Sequence, residues 1–327
     1  MITIYFNRCF SAYSFLIESL KSQWDTEELK LVVSHSTTDP YLQKVADHFE
    51  IEPQCDGQAY LNYVLSICQK YQVDVFFPRK HVSYLSLHKT AFDTLNIKCA
   101  FVTTHEYYKL FDHKFNATNE LAKQALVKRP EIALVDSFES FEQHYHNIRN
   151  TRLDGIPHRH ESVCLKPNIG IGGKGFMRIS HQRSELDDLF RDSVHSVSYS
   201  RLKRTLSTAH PFPELLLSTY LKDEELSVDC IGHQGVLLAA YPRRYINKYE
   251  QIFELHPILI ESCRQICATY QLSFLFNIQF KRHRNEWYFI EVNTRSAAGS
   301  HRICALNICP LSVSLKLILN QPPSEDL

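Results

Sequence analysis

"KPNIGIGGKG", residues Lys166–Gly175, packs four of the chain's nine glycines into six positions: Gly170, Gly172, Gly173 and Gly175. Glycines at this density let backbone N–H groups approach a ligand without interference from Cβ, and phosphate is the usual ligand of such loops. The P-loop pattern GxxxxGK[ST] fails, because Gly175 is followed by Phe176 and Met177. GxGxxG does match at Gly170, Gly172 and Gly175, but a dinucleotide loop of that type opens a helix. Here "SVCLKP" (162–167) enters the loop and "FMRIS" (176–180) leaves it, both with strand character. The expectation is a glycine-rich hairpin folding over a nucleotide. The competing reading is a flexible surface hairpin, which needs fewer glycines. Lys166 ends the incoming strand, within reach of a phosphate or an adenine nitrogen. Lys174 reads as solvated, and Lys114, ahead of a helix, would approach the phosphates from the other side.

Working outward, the first hundred residues alternate strands with helices. "ITIYF" (2–6), "LKLVVSH" (29–35), "VDVFFP" (73–78) and "IKCAFVT" (97–103) read as strands. Residues 11–21, 40–50, 59–71 and 84–95 read as helices. The alternation predicts a parallel, doubly wound sheet. Its first turn, "NRCFSAY", has no glycine, and Gly57 is the single glycine up to residue 154, which argues against a dinucleotide there. Asn7 and Arg8 follow the first strand, on the usual ligand edge of such a sheet. Further on, helices are expected over 110–126 and through "FESFEQHYHNI", and one helix with a mobile loop over 181–211. Strands are expected at 131–137, 213–221, 225–232, 236–244, 273–282 and 286–295, with helices within 251–271 and through "CPLSVSLKLIL".

The chain's 327 residues are 44% hydrophobic and 22% charged, with 36 basic and 36 acidic side chains. That balance gives no bulk-charge case for a nucleic-acid or membrane-surface partner. No apolar run approaches a membrane span, and "MITIYFNRCF" lacks the pattern of a signal peptide. Ten scattered cysteines without a CxxC pair read as buried thiols of a reduced, cytoplasmic protein. His144/His146 and His158/His160 have ligand-like spacing but no third ligand nearby, so zinc is not expected.

A second constellation lies at "FNIQF…EVNTR". Side chains alternate along a strand, so Glu291 and Asn293 share a face, as do Asn277 and Gln279. A hairpin centred near Asn285 would set Gln279 opposite Glu291 and Asn277 opposite Asn293. One carboxylate and three amide oxygens would then cluster, which suits magnesium, a hard cation that takes oxygen ligands and substrate phosphates. Arg295 follows on the same face, placed to hold an anion. Arg243 and Arg244 are candidates to clamp an anionic substrate, with a surface role as the alternative. "RLKR" (201–204) reads mainly as solvated charge.

In this order the pieces resemble the ATP-grasp superfamily, especially the carbamoyl-phosphate synthetase large subunit and related ligases. The closest stretch is "NIQF…FIEVNTRSAAGSHRI", which is similar to the family's "NVQF…IEMNPR". The resemblance implies an α/β chain: a Rossmann-like pre-ATP-grasp domain (1–104), then a two-lobed α+β ATP-grasp domain (105–327). Its lid lobe would span about 128–221 and its C-terminal lobe about 222–320. It further implies ATP between the two lobes, with Lys114 and Lys166 on the phosphates and the 170–175 hairpin closing over them. Leu217, Ser218, Thr219, Tyr220 and Leu221 would line adenine, and Glu225 would bind ribose. Asp229, four residues on, reads as structural. Gln279, Glu291 and Asn293 match the magnesium ligands, for two ions in the family pattern with manganese able to substitute, and Arg295 matches a residue on the transferred phosphate. Two departures stand out. Thr219 replaces a glutamate found in many relatives, and "NTRSAAG" replaces the more usual "NPR".

The chemistry implied is attack of a carboxylate on the γ-phosphate, followed by displacement of phosphate from the acyl phosphate by a nucleophile, usually an amine. The expected partners are therefore a small-molecule carboxylate and a nucleophile, with a homodimer as the candidate assembly. The alternatives are a carboxylate kinase on the same fold, a non-catalytic nucleotide-binding regulatory protein, and a nicotinamide-dependent oxidoreductase. No glutamine-amidotransferase partner or second ATP-grasp half is present, which speaks against carbamoyl-phosphate synthesis itself.

Overall fold

Five short strands near the N-terminus build the first sheet: β1 (Ile2–Phe6), β2 (Leu29–His35), β3 (His48–Ile51), β4 (Val75–Phe77) and β5 (Lys98–Cys99). They are parallel, in the order β3-β2-β1-β4-β5. The computed structural model describes residues 1–25, 27–150, 152–153, 156–157, 163–170, 172–190, 195–247 and 250–323. Side chains alternate across this sheet, and both faces are covered. Ile4, Phe6, Leu31 and Val33 pack with Leu16 and Leu20 of the helix Tyr13–Gln23. Tyr5, Val32 and Phe76 pack on the other side with Tyr60, Leu61 and Val64 of the helix Gly57–Tyr71.

Three expected helices are divided. The segment 40–50 forms a helix only over Pro40–Val45, capped by Asp39, and then becomes β3. Pairing decides the change: Phe49 lies beside Val33, and the Asp47 N–H donates to Leu31 O at 2.9 Å. The segment 84–95 breaks at His88 into Val82–Leu87 and Lys89–Thr94. The segment 110–126 breaks at His113, whose φ of −92° and ψ of 94° are extended. The helices there are His105–Asp112 and Lys114–Lys123, which sets Lys114 in a first turn.

The second sheet has the order β11-β10-β9-β12-β6. Its strands are β6 (Ile132–Val135), β9 (Val163–Pro167), β10 (Met177–Ser180), β11 (Ser196–Ser198) and β12 (Leu215–Thr219), while β7 (Arg152–Leu153) and β8 (Ile156–Pro157) pair separately. Val135, Phe141, Leu165, Ile179, Leu202 and Leu217 form its core. Residues 181–211, expected as one helix and a loop, contain the helices Glu185–Phe190 and Tyr199–Ser207 with β11 between them.

The third sheet has the order β15-β14-β13-β16-β17, from β13 (Glu225–His233), β14 (Val236–Tyr245), β15 (Gln251–Phe253), β16 (Phe274–His283) and β17 (Glu286–Asn293). Arg284 and Asn285 both have positive φ, 51° and 68°, the requirement of a tight two-residue hairpin turn. By contacts the chain divides into two units, Met1–Lys109 with Ser227–Ile278 and Val292–Leu327, and Leu110–Leu226 with Gln279–Glu291.

Candidate active site

Lys114 is a buried lysine in the first turn of its helix. Its Nζ donates to Gly170 O at 2.5 Å and lies 3.8 Å from Glu291 Oε2. An amine so placed serves two neighbours at once, the root of the glycine loop and the carboxylate of β17. Asn168, almost wholly buried, fixes this arrangement. Its carbonyl accepts from Lys114 N at 3.2 Å, its Oδ1 accepts from Phe115 N at 2.9 Å, and its Nδ2 donates to Glu214 Oε1 at 2.6 Å. It therefore satisfies two N–H groups that a helix start leaves open. Sequence reasoning passed over Asn168. A capping-type residue directly after a strand and before a glycine loop was the available signal.

The glycine loop joins antiparallel strands: Leu165 pairs with Met177 and Cys164 with Arg178. Gly172, Gly173 and Gly175 have φ of 65°, 68° and 76°. A Cβ on Gly175 would come within 2.9 Å of the Pro167 ring, so this position combines backbone conformation with close approach. Gly170 lies at the start of the turn and Lys174 is exposed. Lys166 is half-buried on β9 beside Leu216 of β12. On β12, Leu217, Ser218 and Thr219 are buried, and Leu221 beyond it is buried as well. Tyr220 is half-buried, with the Arg178 guanidinium 5.3 Å from its ring centroid. Glu225 opens β13, with Oε2 3.7 Å from Lys281 Nζ.

Gln279 and Glu291 are half-buried on β16 and β17. Asn277 and Asn293 meet, Asn293 Nδ2 donating to Asn277 Oδ1 at 3.3 Å. Asn277 is fully buried and spends its own Nδ2 on Ser227 Oγ (3.0 Å) and Asp229 Oδ1 (2.9 Å). Asn277 is thus an orienting residue for Asn293 and not a fourth oxygen of the expected cluster. The oxygen donors that remain, Gln279, Glu291 and Asn293, are of the type that suits magnesium.

Arg243 and Arg244 are both engaged by the protein. Arg243 Nε donates to Asp229 Oδ2 at 2.5 Å and Nη1 to Gln251 Oε1 at 3.0 Å. Gly299 covers it so closely that a Cβ there would collide with the guanidinium. Arg244 pairs at 2.9 Å with Glu254, the residue after β15. Asp229 also accepts from Ser300 Oγ at 2.6 Å, which ties the segment after β17 to the sheet. Arg295 is half-buried and lines a cavity of about 30 Å³ with Arg79 and Ser296. The run 201–204 is helical, with Lys203 on Glu142 (2.6 Å) and Arg204 on Glu185 (2.7 Å). His144 and His146 lie on the helix Phe138–Asn150, and His158 and His160 fall outside the described residues. Among the described residues no group of three or more His, Cys, Asp or Glu side chains could hold a metal ion.

Residues 211–327 match the family model described as "ATP-grasp in the biosynthetic pathway with Ter operon". An N5-carboxyaminoimidazole ribonucleotide synthetase solved with ADP superposes with a TM-score of 0.69 at 15% identity, over 100% of this chain and 79% of that one. The chain has the ATP-grasp fold. An L-amino acid ligase from Bacillus licheniformis shares it with a TM-score of 0.67 at 13% identity, over 100% of this chain and 76% of that one. A biotin carboxylase from Campylobacter jejuni, solved as a β-γ-ATP complex, gives 0.62 at 15%, over 99% and 72%. In the ATP-grasp fold of this chain the front sheet carries Asn7-Arg8-Cys9 after β1, with Arg8 at a φ of 46° where a glycine would be unstrained. No helix among the described residues is long and apolar enough to cross a membrane.

Proposed function

We propose that this chain is an ATP-dependent ligase that activates a small-molecule carboxylate as an acyl phosphate and joins it to an amine or similar nucleophile, releasing ADP and phosphate. The observation that carries the reading is the convergence of Lys114, the glycine hairpin and Glu291. A buried amine between a carboxylate and a hairpin of glycines is the equipment for handling polyphosphate charge. Lys114 and Lys166 neutralise phosphate oxygens. The hairpin, at Gly170, Gly172, Gly173 and Gly175, covers them and excludes water from the acyl phosphate. Residues 217–221 hold adenine, and Glu225 holds ribose. Gln279, Glu291 and Asn293 would hold magnesium, as two ions or with manganese in its place, which supplies charge neutralisation between the phosphates. Arg295 holds the transferred phosphoryl group. No side-chain nucleophile is needed, because the attacking atom is a substrate carboxylate oxygen and the bond broken is that of the γ-phosphate to ADP. A cytoplasmic homodimer is the setting that fits this reading.

The deciding experiment is a thermal-shift titration with Mg-ADP and Mg-ATP on wild type, Glu291→Ala and Lys166→Ala. A ligand at about a hundred times its Kd adds roughly 2.7 kcal/mol of apparent stability. The expected result is a magnesium-dependent rise in wild type that both variants lose, followed by ADP release when carboxylates and amines are screened together. ADP release without any amine would favour the carboxylate kinase. No response to any nucleotide from folded wild type would overturn the ligase assignment.

A further inference from the structure

The order β3-β2-β1-β4-β5 places the switch point of the first sheet between β1 and β4, and ligands of open α/β sheets bind beyond the strand ends at such a point. The segments leaving those two strands are Asn7-Arg8 and Pro78-Arg79-Lys80-His81. Arg79 is 8% exposed, and no carboxylate pairs with it among the described residues. Its guanidinium carbon lies over the Tyr13 ring, 3.8 Å from the centroid, and its Nη1 donates to Ser296 Oγ at 2.5 Å. Asn7 Oδ1 accepts from its backbone N–H at 2.6 Å, which locks the segment. Nε and Nη2, the edge away from that serine contact, are buried without a hydrogen-bond acceptor.

A buried guanidinium edge left open is costly in a folded protein, and its usual complement is a pair of oxygens accepting in parallel. The cavity beside it is about 30 Å³, room for two water-sized atoms at roughly 10–15 Å³ each. A carboxylate presents two oxygens in one plane, the shape that matches the open Nε–Nη2 edge. A second arginine, Arg295, lines the same cavity, and among the described residues no acidic side chain does. The nearby carboxylate of Glu52 is committed to Arg8, Ser34 and Tyr60. Strained backbone frames the place. Arg8 and His81 have φ of 46° and 53°, and Phe274, a cavity-lining residue, has 61°. Such conformations in bulky residues concentrate at ligand sites, where the surrounding structure holds them.

We infer that Arg79, backed by Ser296, is the recognition site for a carboxylate group of a small-molecule substrate in the front unit of this chain. The inference deepens the ligase reading and rests on it for the reaction, but the site itself binds without nucleotide. The test uses acetate as the probe, with chloride at equal ionic strength and inorganic phosphate as controls, and reads thermal unfolding of the full chain with and without Mg-ADP. Acetate should raise Tm saturably in wild type, and Arg79→Met should lose the acetate response while keeping those to Mg-ADP and to inorganic phosphate. Arg79→Lys, which keeps the charge but not the fork, should bind acetate at least tenfold more weakly, and Ser296→Ala should weaken it too. Those two variants decide the matter should Arg79→Met not fold. An absent acetate response in wild type, an undiminished one in Arg79→Met or Arg79→Lys, or a phosphate response that Arg79→Met abolishes along with that to acetate would each overturn the site. A wild type that answers acetate but not Mg-ADP would sustain the site and overturn the ligase reading instead.

Discussion

Lys114 Nζ and Glu291 Oε2 lie 3.8 Å apart, although 177 positions separate them in the chain, and the same amine donates to Gly170 O. The pair joins the helix start, the glycine hairpin and β17 in one unit. Lys114→Met should therefore weaken Mg-ADP binding roughly 10- to 100-fold, the equivalent of losing a charged hydrogen bond of about 1.5–3 kcal/mol. Titration calorimetry measures this directly. Glu291→Gln should instead shift the magnesium concentration needed for binding, because an amide oxygen is a weaker ligand for a hard cation. Unchanged affinity in both variants would remove the nucleotide from this place.

Two glycines of the hairpin should respond differently to the same substitution. Gly172 has positive φ but open space where a Cβ would project, whereas Gly175 has both positive φ and the Pro167 ring within 2.9 Å of that point. Gly172→Ala should lose about 1–2 kcal/mol of local stability through the left-handed backbone alone. Gly175→Ala should lose more, since a proline ring cannot swing aside. Comparing Mg-ADP affinity and Tm of the two variants checks the order. Equal effects would mean that contact with Pro167 does not matter.

The Asp229–Arg243 ion pair is almost wholly shielded from solvent, with side chains 0% and 3% exposed. Oδ2 takes the guanidinium, while Oδ1 accepts from both Asn277 Nδ2 and Ser300 Oγ. Asp229→Ala should destabilise the chain by about 3–5 kcal/mol, because it strands a buried guanidinium. Asp229→Leu combined with Arg243→Met should recover much of that loss. Urea unfolding of the single and double variants is the measurement, and a double variant no better than Asp229→Ala would contradict it.

Asp39 provides an acid-sensitive cap. Burial pushes its carboxyl upward, but hydrogen bonds from Ser11, Leu42 and Tyr41 outweigh this and hold it below the ordinary value of 3.8. A folded value below the unfolded one stabilises the fold at neutral pH, and that contribution fades as pH falls through the folded value. Asp39→Ala should lose about 1 kcal/mol at pH 7. The gap between wild type and variant should narrow only below about pH 4, near the unfolded carboxylate value. A constant gap from pH 7 to pH 3 would show that the charge is irrelevant.

Much of the fold was legible in the sequence because its signals are local. "ITIYF" and "LKLVVSH" are mostly apolar, with β-branched and aromatic residues, as strands covered on both faces tend to be. The glycine loop announced a hairpin because "FMRIS" alternates with period two and cannot open a helix. The boundaries that were not legible are those set by pairing. The end of the helix at Val45 follows from β3 lying beside β2, and nothing in "PYLQKVADHFE" reports the neighbour.

The sequence by itself determined the residue types of the candidate site: a dense run of glycines, lysines on both sides, and a Gln-Glu-Asn set of oxygen donors. Tertiary structure decided their employment. It gave Asn277 to Asn293 and Asp229 as an orienting residue, and it committed Arg243 to a buried ion pair under Gly299. It also left two nitrogens of Arg79 buried without an acceptor at the sheet's switch point. The physical reason is that a side chain's chemistry is local, whereas its burial and its partners depend on residues far away in the chain. Arginine in "FFPRK" looks the same on paper whether water, a carboxylate or a ligand completes it.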